Sequence, residues 1–125
     1  MKRLYILATM LIFGLVVAIP SHAQTDTTTL DSMAVDIWPD YDQPSVLVLL
    51  TGTLPSSTSF PASVTIPVPE DANVNAVAHI DDATGNMLTD VEADDTVPGQ
   101  ISLTTPSARF RIEYYVPLIK SAKGV

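Results

Sequence analysis

No cysteine occurs among the 125 residues of this chain. That excludes a cystine-stapled scaffold, thiol catalysis and cysteine-ligated zinc, and leaves stability to apolar burial and backbone pairing. Basic residues are scarce as well: six lysines and arginines stand against 14 aspartates and glutamates, for a formal net charge of −8. An excess of that sign opposes nucleic acid and anionic lipid, which carry the same charge. It is compatible with bound cations and equally with simple solubility. Aromatic residues are few, at 6%. Past residue 23 no segment sustains i, i+3, i+4 apolar spacing, so helices are not expected there.

One long apolar run is present, Leu4 to Ile19, and its flanks give it meaning. Lys2 and Arg3 precede it, Pro20 breaks it, and Ser21-His22-Ala23 offers a small-x-small cleavage site before Gln24. This is the pattern of a secretory signal peptide over residues 1–23. The run is shorter than the roughly 20 residues that span a bilayer and is diluted by Tyr5, Thr9 and Gly14, which favours cleavage over retention as an anchor. A lipoprotein signal would need a cysteine. The mature protein is therefore expected to begin near Gln24, to reside outside the cell or in its envelope, and to form one small domain. No membrane contact is expected after cleavage unless the chain is truncated.

From Gln24 onward the composition leans towards strands, with Thr, Ser, Val, Asp and Pro prominent. Residues 24–31 read as a polar, disordered leader. Met33, Val35 and Ile37 then share one face by the period of two, and Pro39 ends the segment. Ser45 to Leu54 is apolar on both faces, as a strand in mid-sheet would be, with Gly52 marking a bulge or a close approach. Val64, Ile66 and Val68 alternate against Ser63, Thr65 and Pro67, and the prolines direct this strand's end to a sheet edge. Val74, Ala76, Ala78 and Ile80 alternate against Asn75, Val77, His79 and Asp81. The turn Asp81–Asn86 follows, and Met87–Val91 returns as the second arm of a hairpin. After an acidic loop at 92–100, Ile101–Thr105 and Ala108–Val116 complete the set; Phe110, Ile112, Tyr114 and Val116 share one face. About seven short strands with turns every 8–12 residues predict an all-β, antiparallel immunoglobulin-like β-sandwich over residues 32–118, followed by a tail at 119–125. Val46, Val48, Leu50, Val64, Ile66, Ile80, Leu103, Phe110, Ile112 and Tyr114 are the expected core.

The wording of Asp36-Ile37-Trp38-Pro39-Asp40-Tyr41-Asp42-Gln43-Pro44-Ser45-Val46-Leu47-Val48, with Gly52-Thr53-Leu54-Pro55, Phe60-Pro61-Ala62, Asn75-Ala76-Val77-Ala78 and Arg109-Phe110-Arg111-Ile112-Glu113-Tyr114-Tyr115, resembles a poorly characterised family. It is the N-terminal β-sandwich domain of exported or membrane-anchored bacterial proteins of Chloroflexota type. The resemblance covers about residues 33–117. Members of that family run on past the Glu-Tyr-Tyr strand into further strands, and often to a transmembrane segment or a small zinc ribbon. This chain stops at Ser121–Val125, as a truncated reading frame or a minimal version would. The resemblance brings no catalytic residues with it.

Candidate chemistry is sparse. His79 is the one histidine outside the signal and would have to serve as the base of any hydrolytic triad. Its strand alternation points it outward, and no Gly-x-Ser-x-Gly elbow is present, so no catalytic set is expected. The pairs Asp40/Asp42, Asp81/Asp82 and Asp94/Asp95 invite a calcium or glycosidase reading. The 81–86 stretch lacks the alternating carboxylates and the later bidentate Glu of a calcium loop, and turn chemistry accounts for it. No cofactor and no metal are expected. Trp38, Tyr41 and Tyr115 are the candidate ligand-binding residues, as a platform for sugar or peptide, with a core or sheet-end plug the competing role for Trp38. The expected function is that of a non-enzymatic envelope module, structural, adhesive or binding a protein or glycan partner. The alternatives are a carbohydrate- or calcium-binding module and a secreted hydrolase.

Overall fold

Alternation of side chains, rather than any helical stripe, shapes the whole described chain. The computed structural model describes residues 25–27 and 29–119; the signal segment 1–23 and the last six residues of the tail lie outside them. Nine strands follow one another: β1 (Thr25–Thr27), β2 (Ser32–Pro39), β3 (Ser45–Thr53), β4 (Ala62–Pro67), β5 (Asn73–Ile80), β6 (Met87–Leu88), β7 (Glu92–Asp94), β8 (Gln100–Thr105) and β9 (Arg109–Pro117). They form a four-stranded sheet in the order β1-β4-β8-β7 and a five-stranded sheet in the order β2-β3-β9-β5-β6. The fold is a β-sandwich, antiparallel except for the β1–β4 pair. Among the described residues no helix is long and apolar enough to cross a membrane.

Two of the nine strands fall where loops were expected. Thr25–Thr27, inside the segment read as a disordered leader, pairs with Ala62–Val64 as β1. Glu92–Asp94, inside the acidic loop, pairs with Ser102–Thr104 as β7. Neither is long enough to display a period, so neither can be recognised from its own residues. The return arm of the hairpin is shorter than expected, with β6 meeting only His79 and Ile80.

The core lies between the sheets. β3 and β9 contribute Val48, Leu50, Phe110, Ile112 and Tyr114; β4 and β8 contribute Ala62, Val64, Ile66, Ile101 and Leu103. β3 is covered on both flanks by β2 and β9, as its apolar run requires. Gly52 is a point of close approach and not a bulge: a Cβ there would sit 2.3 Å from Cζ of Phe110. β4 has strict alternation, with Thr65 and Pro67 exposed, and β1 covers only its first half, leaving Pro67 near an open edge. Thr65 and Ser102 form a cross-strand hydroxyl pair at 2.9 Å on the outer face of this sheet.

Ile80 does not join the inter-sheet core, although it is buried. The register between β5 and β9 shifts at Val74/Ala76, a β-bulge. Before it Val74 lies opposite the inward Tyr114; after it Val77 lies opposite Ile112 and His79 opposite Phe110. One extra residue reverses the faces. Ala76, Ala78 and Ile80 consequently share the outer face with Glu113, Arg111 and Arg109, and the alternation read from the sequence holds only up to the bulge.

Candidate functional site

The reversal changes the position of His79. It is not an exposed strand histidine: it is 8% exposed, at the rim of the core. Its Nδ1 lies 3.1 Å from the Ser107 hydroxyl and its Nε2 lies 3.1 Å from Asp90 Oδ1. Serine, histidine and carboxylate thus line up in the order of a hydrolytic triad but with the two ring nitrogens exchanged, since a triad serine faces Nε2 and its carboxylate Nδ1. The arrangement is hidden in the sequence because Asp90 and Ser107 come from separate connections. The surroundings of the hydroxyl argue against a nucleophile. Ser107 Oγ donates to the Ile80 carbonyl at 2.9 Å, and the Arg109 carbonyl lies 3.3 Å away. Two carbonyl oxygens repel developing negative charge, the reverse of an oxyanion hole. The network instead ties the Pro106–Ser107 connection to the end of β5, and Thr105 extends it by donating to the Ser107 carbonyl at 2.8 Å.

The carboxylate pairs serve local structure. Asp81 Oδ1 accepts the amides of Ala83 and Thr84, at 2.7 and 3.2 Å, which holds the turn in which Gly85 takes φ 73°. Asp82 faces Arg109 at 3.4 Å. Asp94 accepts both the amide and the hydroxyl of Thr96, which lowers its pKa below the ordinary value. Among the described residues no three histidine or carboxylate side chains converge as a metal site.

Trp38, Tyr41 and Tyr115 do come together. Trp38 pairs with Leu47, and Leu47 in turn with Tyr115, so the three lie in one row across β2, β3 and β9 on the outer face of the larger sheet. Leu47 is buried there. Of the two plug roles expected for Trp38, the core one fails, because it sits on an edge strand and is 43% exposed; it stands next to the last residue of β2, at that strand's end. The loop after it folds back upon the row. Asp40 takes a positive φ of 51°, a conformation aspartate tolerates better than most residues, and its amide donates to the Ser45 carbonyl at 2.9 Å. Tyr41 is thereby returned to Trp38, with ring centroids 5.0 Å apart and planes tilted by 54°. Asp42 is returned to Tyr115, whose hydroxyl donates to it at 2.6 Å.

A cleft of about 240 Å³ adjoins this corner, lined by Gln43, Ser45, Asp71, Asn73 and Tyr115 among others. Ser45 Oγ is buried beside it and has no hydrogen-bond partner among the described residues. A second cleft, of about 450 Å³, runs along the bulge of β5 past Asn75, Thr89, Val91 and Asp95. Neither cleft includes Ser107.

The bond to Asp42 pushes the Tyr115 pKa up to about 12, with partial burial and the neighbouring charges adding to it. Tyr114 is also raised, by burial. A phenol whose folded pKa exceeds its unfolded value of about 10 contributes stability below that pH. The contribution is lost as pH rises towards about 12. In an ultraviolet phenolate titration Asp42→Asn is therefore expected to bring one late-titrating tyrosine down towards the ordinary range. An unchanged alkaline limb would show that the Tyr115–Asp42 bond does not form in solution. No family model matches this chain, and no curated protein and no solved structure matches it either.

Proposed function

We propose that this chain is an exported, non-enzymatic β-sandwich module of the cell envelope that binds a protein or glycan partner at the Trp38–Tyr41–Tyr115 corner. Export rests on the signal pattern of residues 1–23. The observation that carries the binding role is the gathering on one outer face of the Trp38–Tyr41 ring pair and of Tyr115, which comes from the far end of the chain and stands in the same row beyond Leu47. Trp38 is 43% and Tyr41 64% exposed there. Folding alone gains little from leaving such rings in water. The glycan form of the reading draws on the composition of the corner: ring faces for stacking, with Asp42, Asn73 and Gln43 at the rim to orient hydroxyl groups.

Trp38 is the only tryptophan in the chain, so its emission reports on the corner directly. Titration with a panel of soluble oligosaccharides is expected to yield a saturable change with at least one. Tyr41→Ala should weaken that binding by about tenfold, the equivalent of about 1.4 kcal/mol, a magnitude ordinary for an aromatic contact. No response to any sugar would remove the glycan form and leave the protein form. Hydrolysis of an activated ester, abolished by Ser107→Ala, would overturn the non-enzymatic reading and assign work to the His79 network.

A further inference from the structure

We infer a second interaction surface, adjoining the aromatic corner at the Trp38 end of β2: the free edge of β2, which takes an extended segment of another protein whose apolar residues alternate with lysine or arginine.

The backbone comes first. β2 is the end strand of the larger sheet, and among the described residues no strand pairs beyond it. Its register with β3 is unbroken over all eight residues. The Asp40 amide bonds to Ser45 one step beyond that register, and bonded pairs in an antiparallel ladder recur at every second residue. On β3's other side the Leu54 amide bonds to Ala108, which turns the even residues of β3 towards β9 and its odd ones towards β2. Both observations direct Ala34, Asp36 and Trp38 at β3, and turn the N–H and C=O groups of Met33, Val35 and Ile37 outward. Three consecutive ladder positions stand ready for another strand.

The side chains add chemistry to that edge. Met33, Val35 and Ile37 pair with Gly52, Leu50 and Val48 and so point to the inner side of the sheet. The smaller sheet leaves them 41, 51 and 62% exposed. A row of this kind invites apolar side chains from an added strand. Edge strands are ordinarily guarded by lysine, proline, a bulge or short length. Here the strand is eight residues long, carries no bulge or lysine, and has its proline only at the last position. The one guard at its centre is Asp36, on the outer side, with Asp31, Asp40 and Asp42 at or beyond its ends. Among the described residues Asp36 has no salt-bridge partner. In a chain of net charge −8 this edge repels a second copy of itself and attracts a basic strand. Acidic guarding therefore selects the occupant: apolar residues against Met33, Val35 and Ile37, and a cation on the face of Asp36.

Amide hydrogen exchange on the full chain tests this, with two short synthetic peptides as probes, one alternating valine with lysine and the other valine with glutamate. The lysine peptide is expected to slow exchange of the Met33, Val35 and Ile37 amides by about tenfold or more, while those of Ala34 and Asp36, already bonded to β3, change little. The glutamate peptide should leave all five unchanged. Asp36→Lys should exchange the two responses. Val35→Pro, which removes one outward amide at a site where an edge strand tolerates proline, should abolish protection by the lysine peptide. Equal protection by both peptides, or peptide binding that leaves these three amides unprotected, would overturn the proposal. So would protection that grows with protein concentration in the absence of peptide, which would assign the edge to a second copy.

Discussion

Truncation of Phe110 to alanine is expected to destabilise the fold by about 3–5 kcal/mol, as for other fully buried phenylalanines. The ring is 0% exposed, at the centre of the inter-sheet core. It lies in register between Gly52 on β3 and His79 on β5. A Cβ at Gly52 would meet Phe110 Cζ, Cε1 and Cε2 at 2.3, 2.7 and 2.9 Å. The glycine and the ring are thus one packing unit, and the ring occupies the space that any other residue at 52 would fill. Gly52→Ala alone should overpack the core and destabilise by about 1–3 kcal/mol. Paired with Phe110→Leu, which withdraws the atoms that clash, Gly52→Ala should be better tolerated than in the parent. Urea melts of the two single variants and the double variant measure this coupling. Strict additivity would show that the ring does not rest on Gly52.

Ile112→Ala should destabilise by about 2–5 kcal/mol, whereas a change at the adjacent Arg111 should stay within about 1 kcal/mol. Ile112 is 0% exposed and faces Leu50 and Val77 inside the sandwich. Arg111 turns the other way. Its Nε donates to Thr51 Oγ1 at 3.1 Å on a half-buried outer face, where the loss of one hydrogen bond is largely replaced by water. Equal and small effects at the two positions would reject the register of β9. The comparison is sensitive because a slip of one residue exchanges every side chain between the faces.

Much of this register is legible without coordinates. Val64, Ile66, Phe110, Ile112 and Tyr114 are buried as their alternation predicts. The Asp81–Asn86 turn forms as its aspartate and glycine require, and β3 is flanked on both sides as its apolar run requires. In each case a local periodicity or a single turn residue carries the information, and neither depends on distant parts of the chain. The candidate site is less legible. Trp38, Tyr41 and Tyr115 stand out as candidates by residue type, but their meeting depends on the β2-β3-β9 order and on the αL turn at Asp40. His79 is misplaced by alternation alone, because nothing in Val74-Asn75-Ala76 announces a bulge. Its bonds to Asp90 and Ser107 span two connections.

Periodicity, turn chemistry and composition were thus sufficient for an all-β chain, for the facing of its longer strands and for most of its core, since those properties are set by neighbours along the backbone. Tertiary pairing and packing settled the rest: the reversed face of β5, the short pairings of β1 and β7, the aromatic corner and the edge at β2 that no described strand covers. Those features follow from which strands lie side by side and how far the smaller sheet reaches over the larger. Such relations join residues far apart in the chain, and no local pattern encodes them.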